Sequence, residues 1–153
     1  MNSHYQKSNW GRVFAKGQAM VELAGALAVL VPLLLIATDF GRLYYTNIAV
    51  EGAARAGAQY GSQSVITAAN ANGMKTAAQN DATNLTGMSA TASQCTCESG
   101  SSVAACPASY CASSPTATFV EVDTSATFNT LVSYPGIPSS IPLSGKAVMM
   151  VSQ

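Results

Sequence analysis

Charge is scarce in this sequence: Asp, Glu, Lys and Arg make up 9% of its 153 residues, against roughly a quarter in an ordinary soluble domain. Seven basic and seven acidic side chains cancel to a formal net charge of zero. No global field therefore draws in nucleic acid or an acidic substrate, and neither a nucleic-acid partner nor a small-molecule substrate is expected. Histidine occurs once, as His4, ahead of a long apolar run, which excludes a Ser-His or Cys-His catalytic pair in the C-terminal part. Glycines are scattered without a phosphate-binding fingerprint. Glu121 and Asp123 alternate onto one face of a predicted strand, the ordinary pattern of a solvated face rather than of a catalytic carboxylate pair. No enzyme activity and no cofactor are expected.

Apolar residues, by contrast, reach 48%, and the length leaves room for one modest domain plus an anchor. From Ala19 to Thr38 the chain reads AMVELAGALAVLVPLLLIAT, with Glu22 as its only charged member. As a helix this run spans roughly 30 Å, the thickness of a bilayer hydrocarbon core. His4, Lys7, Arg12 and Lys16 precede it, and no acid occurs before Glu22. Basic residues before the run place the N-terminus in the cytoplasm and the remainder outside. A cleavable secretory signal also has a basic start and an apolar core, but this core is long and no small-x-small site interrupts it before Asp39. The central helix of a soluble bundle is the other alternative, and so apolar a run favours lipid.

The stretch Lys16-Gly17-Gln18-Ala19-Met20-Val21-Glu22 resembles a type IV prepilin processing site: a basic leader ending in Gly, cleavage after it, and Glu fifth in the mature chain. Downstream stand Asp39-Phe40-Gly41-Arg42-Leu43-Tyr44-Tyr45 and Ala53-Ala54-Arg55-Ala56-Gly57-Ala58, with Pro32 inside the apolar run. This order resembles the TadE-like family of Flp (Tad) pilus assembly, closely from Gly17 to about Gly61 and loosely beyond. The resemblance implies a pilin-like or pseudopilin subunit with no catalysis of its own, processed by a prepilin peptidase. It further implies that the new ammonium of Gln18 pairs with Glu22 of a neighbouring subunit and sets register. One position departs from the pattern, since Leu23 follows Glu22 where processed pilins of this system usually carry an aromatic residue.

Several of these residues also have a physical reading. A carboxylate inside an apolar membrane helix costs several kcal/mol unless paired, so Glu22 either has a partner or lies near enough to the interface to stay hydrated. Asp39 and Arg42 lie three apart, and Glu51 and Arg55 four apart, so each pair can meet on a helix surface and mark the exit from lipid. Tyr44 and Tyr45 suit the headgroup region. Ala53, Gly57 and Gly61 form a small-residue stripe that lets another element approach closely, either a partner helix or the chain's own C-terminal domain.

Beyond Gly61 the composition turns to Ala, Ser, Thr and Asn. The spacing predicts a second, weak helix over 65–84, with Gly73 counting against it. Alternation from Ala117 predicts a strand running in β-prone residues to Val132, then a turn-rich loop over 134–142 and a last short strand over 146–151. The four cysteines, Cys95, Cys97, Cys106 and Cys111, read on the extracytoplasmic side as two disulfides stapling a loop. Direct pairing of Cys95 with Cys97 would be strained. Two connectivities remain open, each linking one of Cys95 and Cys97 to Cys106 and the other to Cys111. Four thiolates also suit zinc, but Cys-x-Cys is not the usual spacing, and no metal is expected.

The expected protein is α+β and pilin-like. It has a basic leader over 1–17, a transmembrane helix and its extension over 18–61, and an extracytoplasmic domain over 62–153 with a small antiparallel sheet and a cysteine loop over 95–111. Its expected place is the inner (cytoplasmic) membrane, single-pass, with a structural role in Tad pilus assembly or associated secretion and with other pilin subunits and the Tad machinery as partners. The alternative is a membrane-anchored extracytoplasmic binding or adhesin-like protein.

Overall fold

A computed structural model describes residues 10–98, 103–112, 116–133 and 136–152, with side chains from Gly17 onward. His4 and Lys7 of the basic leader lie outside these residues, as do the side chains of Arg12 and Lys16. The fold is α+β: among the described residues it has a long N-terminal apolar helix, three short helices and a three-stranded antiparallel sheet. The chain divides into two compact units, residues 1–40 and 41–153, and helix α1, Trp10–Ser62, runs through both.

In the first unit the described structure is helix alone. Leu, Ala, Val and Met favour helix or tolerate it, and α1 continues through Pro32. Leu23, Leu27, Leu30, Leu34 and Ile36 are all exposed. A helix whose apolar side chains are exposed on every side among the described residues suits lipid. It is the one helix among the described residues long and apolar enough to cross a membrane, and it fits a single-pass membrane protein.

In the second unit, the later part of α1 is one wall of a core. The sheet order is β1-β2-β3, with β1 at Ser89–Thr96, β2 at Thr118–Asn129 and β3 at Ser140–Met150. Along β2 the inward positions are Val120, Val122, Thr124, Ala126 and Phe128, all buried. They follow the period of two expected for a strand with one wet face. Val120, Val122 and Ala147 pack with Ala53, Ala54 and Ala58 of α1 and with Met74 and Ala78. The last two lie on α3, Ala71–Asp81.

The small-residue stripe of α1 is filled by the chain's own domain. A Cβ added at Gly57 would lie 2.8 Å from the Met74 carbonyl oxygen and 3.0 Å from Val122 Cγ1. One added at Gly61 would run into Met74 Sδ and meet Val120 Cγ1 at 3.2 Å. Glycine at these places lets α3 and β2 close on α1, as small residues permit.

Three sequence expectations need correction. The helix expected over 65–84 is two helices, α2 at Val65–Ala68 and α3 at Ala71–Asp81. The Asn70 side chain accepts from the Gly73 backbone N–H at 2.9 Å, and this N-cap offers the backbone a fresh start rather than a continuation. The last strand begins at Ser140 rather than at 146. Pro142 is tolerated because β3 is an edge strand, whose outward N–H groups need no partner. β2 ends at Asn129, and the loop then spans 130–139, with residues 134 and 135 outside the described set. Strand β1 is not signalled by the sequence. Its sequence SATASQCT lacks the apolar alternation that signals a strand, and pairing along β2 supplies what propensity does not.

Candidate functional site

The residues singled out in the sequence fall in three places. In the first unit, Gly17 and Gln18 lie on α1, and Gln18 Nε2 donates to Glu22 Oε1 at 3.3 Å. The spacing of four puts the amide and the carboxylate on one helix face. Glu22 is exposed among apolar neighbours, so its carboxylate is presented outward. Met20, Val21 and Leu23 beside it are 75%, 72% and 60% exposed. Asp39 is buried and Phe40 exposed.

In the second unit, Gly41 has open space where a Cβ would go. The Arg42 guanidinium stands 5.3 Å from the centroid of the Phe128 ring, a cation–π contact on a buried aromatic. Ala54 and Gly57 face the core, while Arg55 points outward and pairs with Glu51 at 3.4 Å, the spacing-of-four pair expected from the sequence. The two boxes thus do different work: residues 54 and 57 hold the domain against α1, and residues 40, 41 and 55 face outward. Asn84 Nδ2 donates to the Tyr45 hydroxyl at 3.2 Å, and Tyr44 and Tyr45 are 63% and 62% exposed.

The third place is the cysteine loop. Cys95 is bonded to Cys106 and Cys97 to Cys111, one of the two connectivities left open by the sequence. The Sγ atoms of Cys97, Cys106 and Cys111 lie within 4.8 Å of one another because the two bridges lie side by side. Sulfur held in a disulfide offers no thiolate to a metal. Between the bridges, Tyr110 on the short helix α4, Ala108–Cys111, reaches the outer face of the sheet.

There a polar cluster anchors the loop. The Tyr110 hydroxyl donates to Glu121 Oε2 at 3.0 Å, and Lys146 Nζ donates to Glu121 Oε1 at 2.6 Å. The Tyr110 and Phe119 rings lie 5.8 Å apart. In register Lys146 stands opposite Asp123, but its ammonium is 4.0 Å from that carboxylate and bonds the diagonal Glu121 instead. Lys146 holds the Glu121 carboxyl below its ordinary range, and burial pushes Asp123 up. The hydrogen bond to Glu121 raises both Lys146 and Tyr110. Every group here is occupied with another, which suits fastening a loop. The sequence had marked Glu121 and Asp123 as a solvated face. The sequence gives no signal that Lys146 of β3 and Tyr110 of α4 meet there, since they come from distant elements.

No curated protein and no solved structure matches the chain. A family model, described as TadE-like protein, matches residues 17–59, the span that holds Gly17, Gln18, Glu22, the box at 39–42 and the box at 54–57. The match ends before the cysteine loop and the sheet. Over residues 17–59 the chain is similar to the TadE-like family, a likeness that points to a function associated with the Tad pilus.

Proposed function

We propose that the chain is a pilin-like structural subunit, a minor pilin or pseudopilin, of Tad (Flp) pilus assembly or its associated secretion. It sits in the cytoplasmic membrane with its N-terminus inside and residues 62–153 outside, and it works by helix packing rather than by catalysis. The observation that carries this reading is Glu22. An outward-facing carboxylate in an apolar helix is costly in lipid and marks a functional pairing. It lies inside the TadE-like segment, five residues after Gly17.

A prepilin peptidase cutting after Gly17 would free the Gln18 ammonium, a cation suited to Glu22 of the next subunit. Register along an assembly of helices would follow from that pair. The test is complementation of a strain lacking this chain with Glu22→Ala and Glu22→Gln variants. Piliation should fall in both while membrane insertion and the folding of residues 41–153 stay unchanged. Wild-type piliation in both variants would instead favour the second reading, a membrane-anchored binding protein whose disulfide-stapled loop contacts a partner.

A further inference from the structure

We infer that Cys95, Cys97, Cys106 and Cys111, once reduced, form a tetrahedral thiolate site for one zinc ion, so that metal and disulfides are alternative staples of the same element. The sulfurs of Cys97, Cys106 and Cys111 already lie within 4.8 Å of one another, and Cys95 is bonded to Cys106. Zinc held by four thiolates at about 2.3 Å sets its sulfurs roughly 3.8 Å apart. Those three sulfurs therefore need to draw together by at most about 1 Å. Cys95 and Cys97 stand two apart at the end of β1. On a strand, residues two apart share a face, with roughly 6.6 Å between their Cα atoms. A Cys-x-Cys spacing that is unusual in a turn thus lets both side chains reach one ion.

Bonds that involve no sulfur keep the cysteines in place. Cys95 pairs with Phe119 in the β1–β2 ladder, and Cys97 N–H donates to the Ala117 carbonyl at 2.9 Å. Across the free edge of β1, Thr96 N–H donates to the Ala104 carbonyl at 2.9 Å, and Cys106 N–H donates to the Thr96 carbonyl at 3.0 Å. Cys111 follows Tyr110, whose hydroxyl bonds Glu121 and whose ring lies 5.8 Å from that of Phe119. Opening the bridges leaves all of these contacts standing. The donor set is also all sulfur, and among the described residues it is the one cluster of three or more side chains able to ligate a metal. Soft thiolates in a tetrahedron suit Zn2+ and not the hard cations Mg2+ or Ca2+. Each bridge takes two electrons and two protons from a dithiol, whose own sulfurs close into a disulfide. Zn2+ then displaces the protons of the four thiols and leaves a centre of charge −2. In oxidising surroundings the disulfides hold the element, and in reducing surroundings zinc does so.

The test uses the full chain in detergent, reduced by a phosphine that takes oxygen from water and leaves both hydrogens on the sulfurs. It is titrated without air with Co2+, whose tetrahedral thiolate complexes are strongly coloured where its hydrated ion is nearly colourless. Amide exchange of β2 reports whether the sheet stays folded. The reduced chain should bind one Co2+ with intense colour, release roughly four protons, keep its β2 protection and be bleached by an equal amount of Zn2+. The oxidised chain should stay colourless. Colour should be lost in the reduced double variants Cys95→Ser/Cys106→Ser and Cys97→Ser/Cys111→Ser. A colourless reduced wild type overturns the proposal, and so does full colour in either double variant. Half an ion per chain would mean a site shared between copies and overturns it as well. Colour that appears only with loss of β2 protection overturns it too, because an unfolded run of four cysteines would then be the ligand.

Discussion

The Thr124 hydroxyl donates to the Val50 carbonyl at 2.7 Å across 74 residues of chain, and Thr124 is 2% exposed. The bond fastens the middle strand of the sheet to α1 where β3 also comes close, since a Cβ at Gly145 would sit 2.7 Å from the same carbonyl oxygen. Thr124→Val keeps the shape and removes the bond. The expected loss is about 1–2 kcal/mol in thermal unfolding of the detergent-solubilised chain, and Thr124→Ser should lose less.

The glycines of α1 divide into two kinds. At Gly57 a methyl group meets the Met74 carbonyl at 2.8 Å, whereas Gly41 has nothing within 4 Å. Gly57→Ala should lower stability by about 1–3 kcal/mol, and Gly41→Ala should leave it unchanged or slightly raised. Unfolding of both variants side by side checks this. Loss of piliation in Gly41→Ala without loss of stability would place that outward position at a subunit contact.

The Glu121 carboxyl is held below its ordinary 4.5 by the Lys146 hydrogen bond. Its stabilising contribution is therefore complete above pH 4.5 and is lost as pH falls through the lowered value. Asp123, raised above 3.8 by burial, works in the opposite direction, so the comparison must be with Glu121→Gln. The stability difference between wild type and this variant should be about 1 kcal/mol or less near neutrality and should vanish in acid. A difference that grows in acid would contradict the assignment.

Non-reducing peptide mapping should recover Cys95 joined to Cys106 and Cys97 joined to Cys111. Reduction should cost about 2–4 kcal/mol per bridge, read as a lowered unfolding midpoint. Peptides joining Cys95 to Cys111 would contradict the loop's path.

How much was legible in advance follows from where the determinants lie. The apolar helix, the boxes at 39–42 and 54–57, and the inward phase of Val120 and Val122 depend on residues close in sequence, and they could be read directly. The fate of the Gly57 and Gly61 stripe could not, because its occupants, Met74 and Val122, come from distant elements. Nor could β1, whose pairing with β2 is not written in its composition. The cysteines showed a staple but not its connectivity, which depends on how Thr96 and Cys106 bond across the loop.

The measurement that bears most directly on assembly through Glu22 is the N-terminal residue of the protein recovered from native membranes, read by mass spectrometry of its terminal peptide. A terminus at Gln18 is predicted, with its free ammonium available to Glu22 of a neighbouring subunit. A terminus at or near Met1 would contradict the register mechanism.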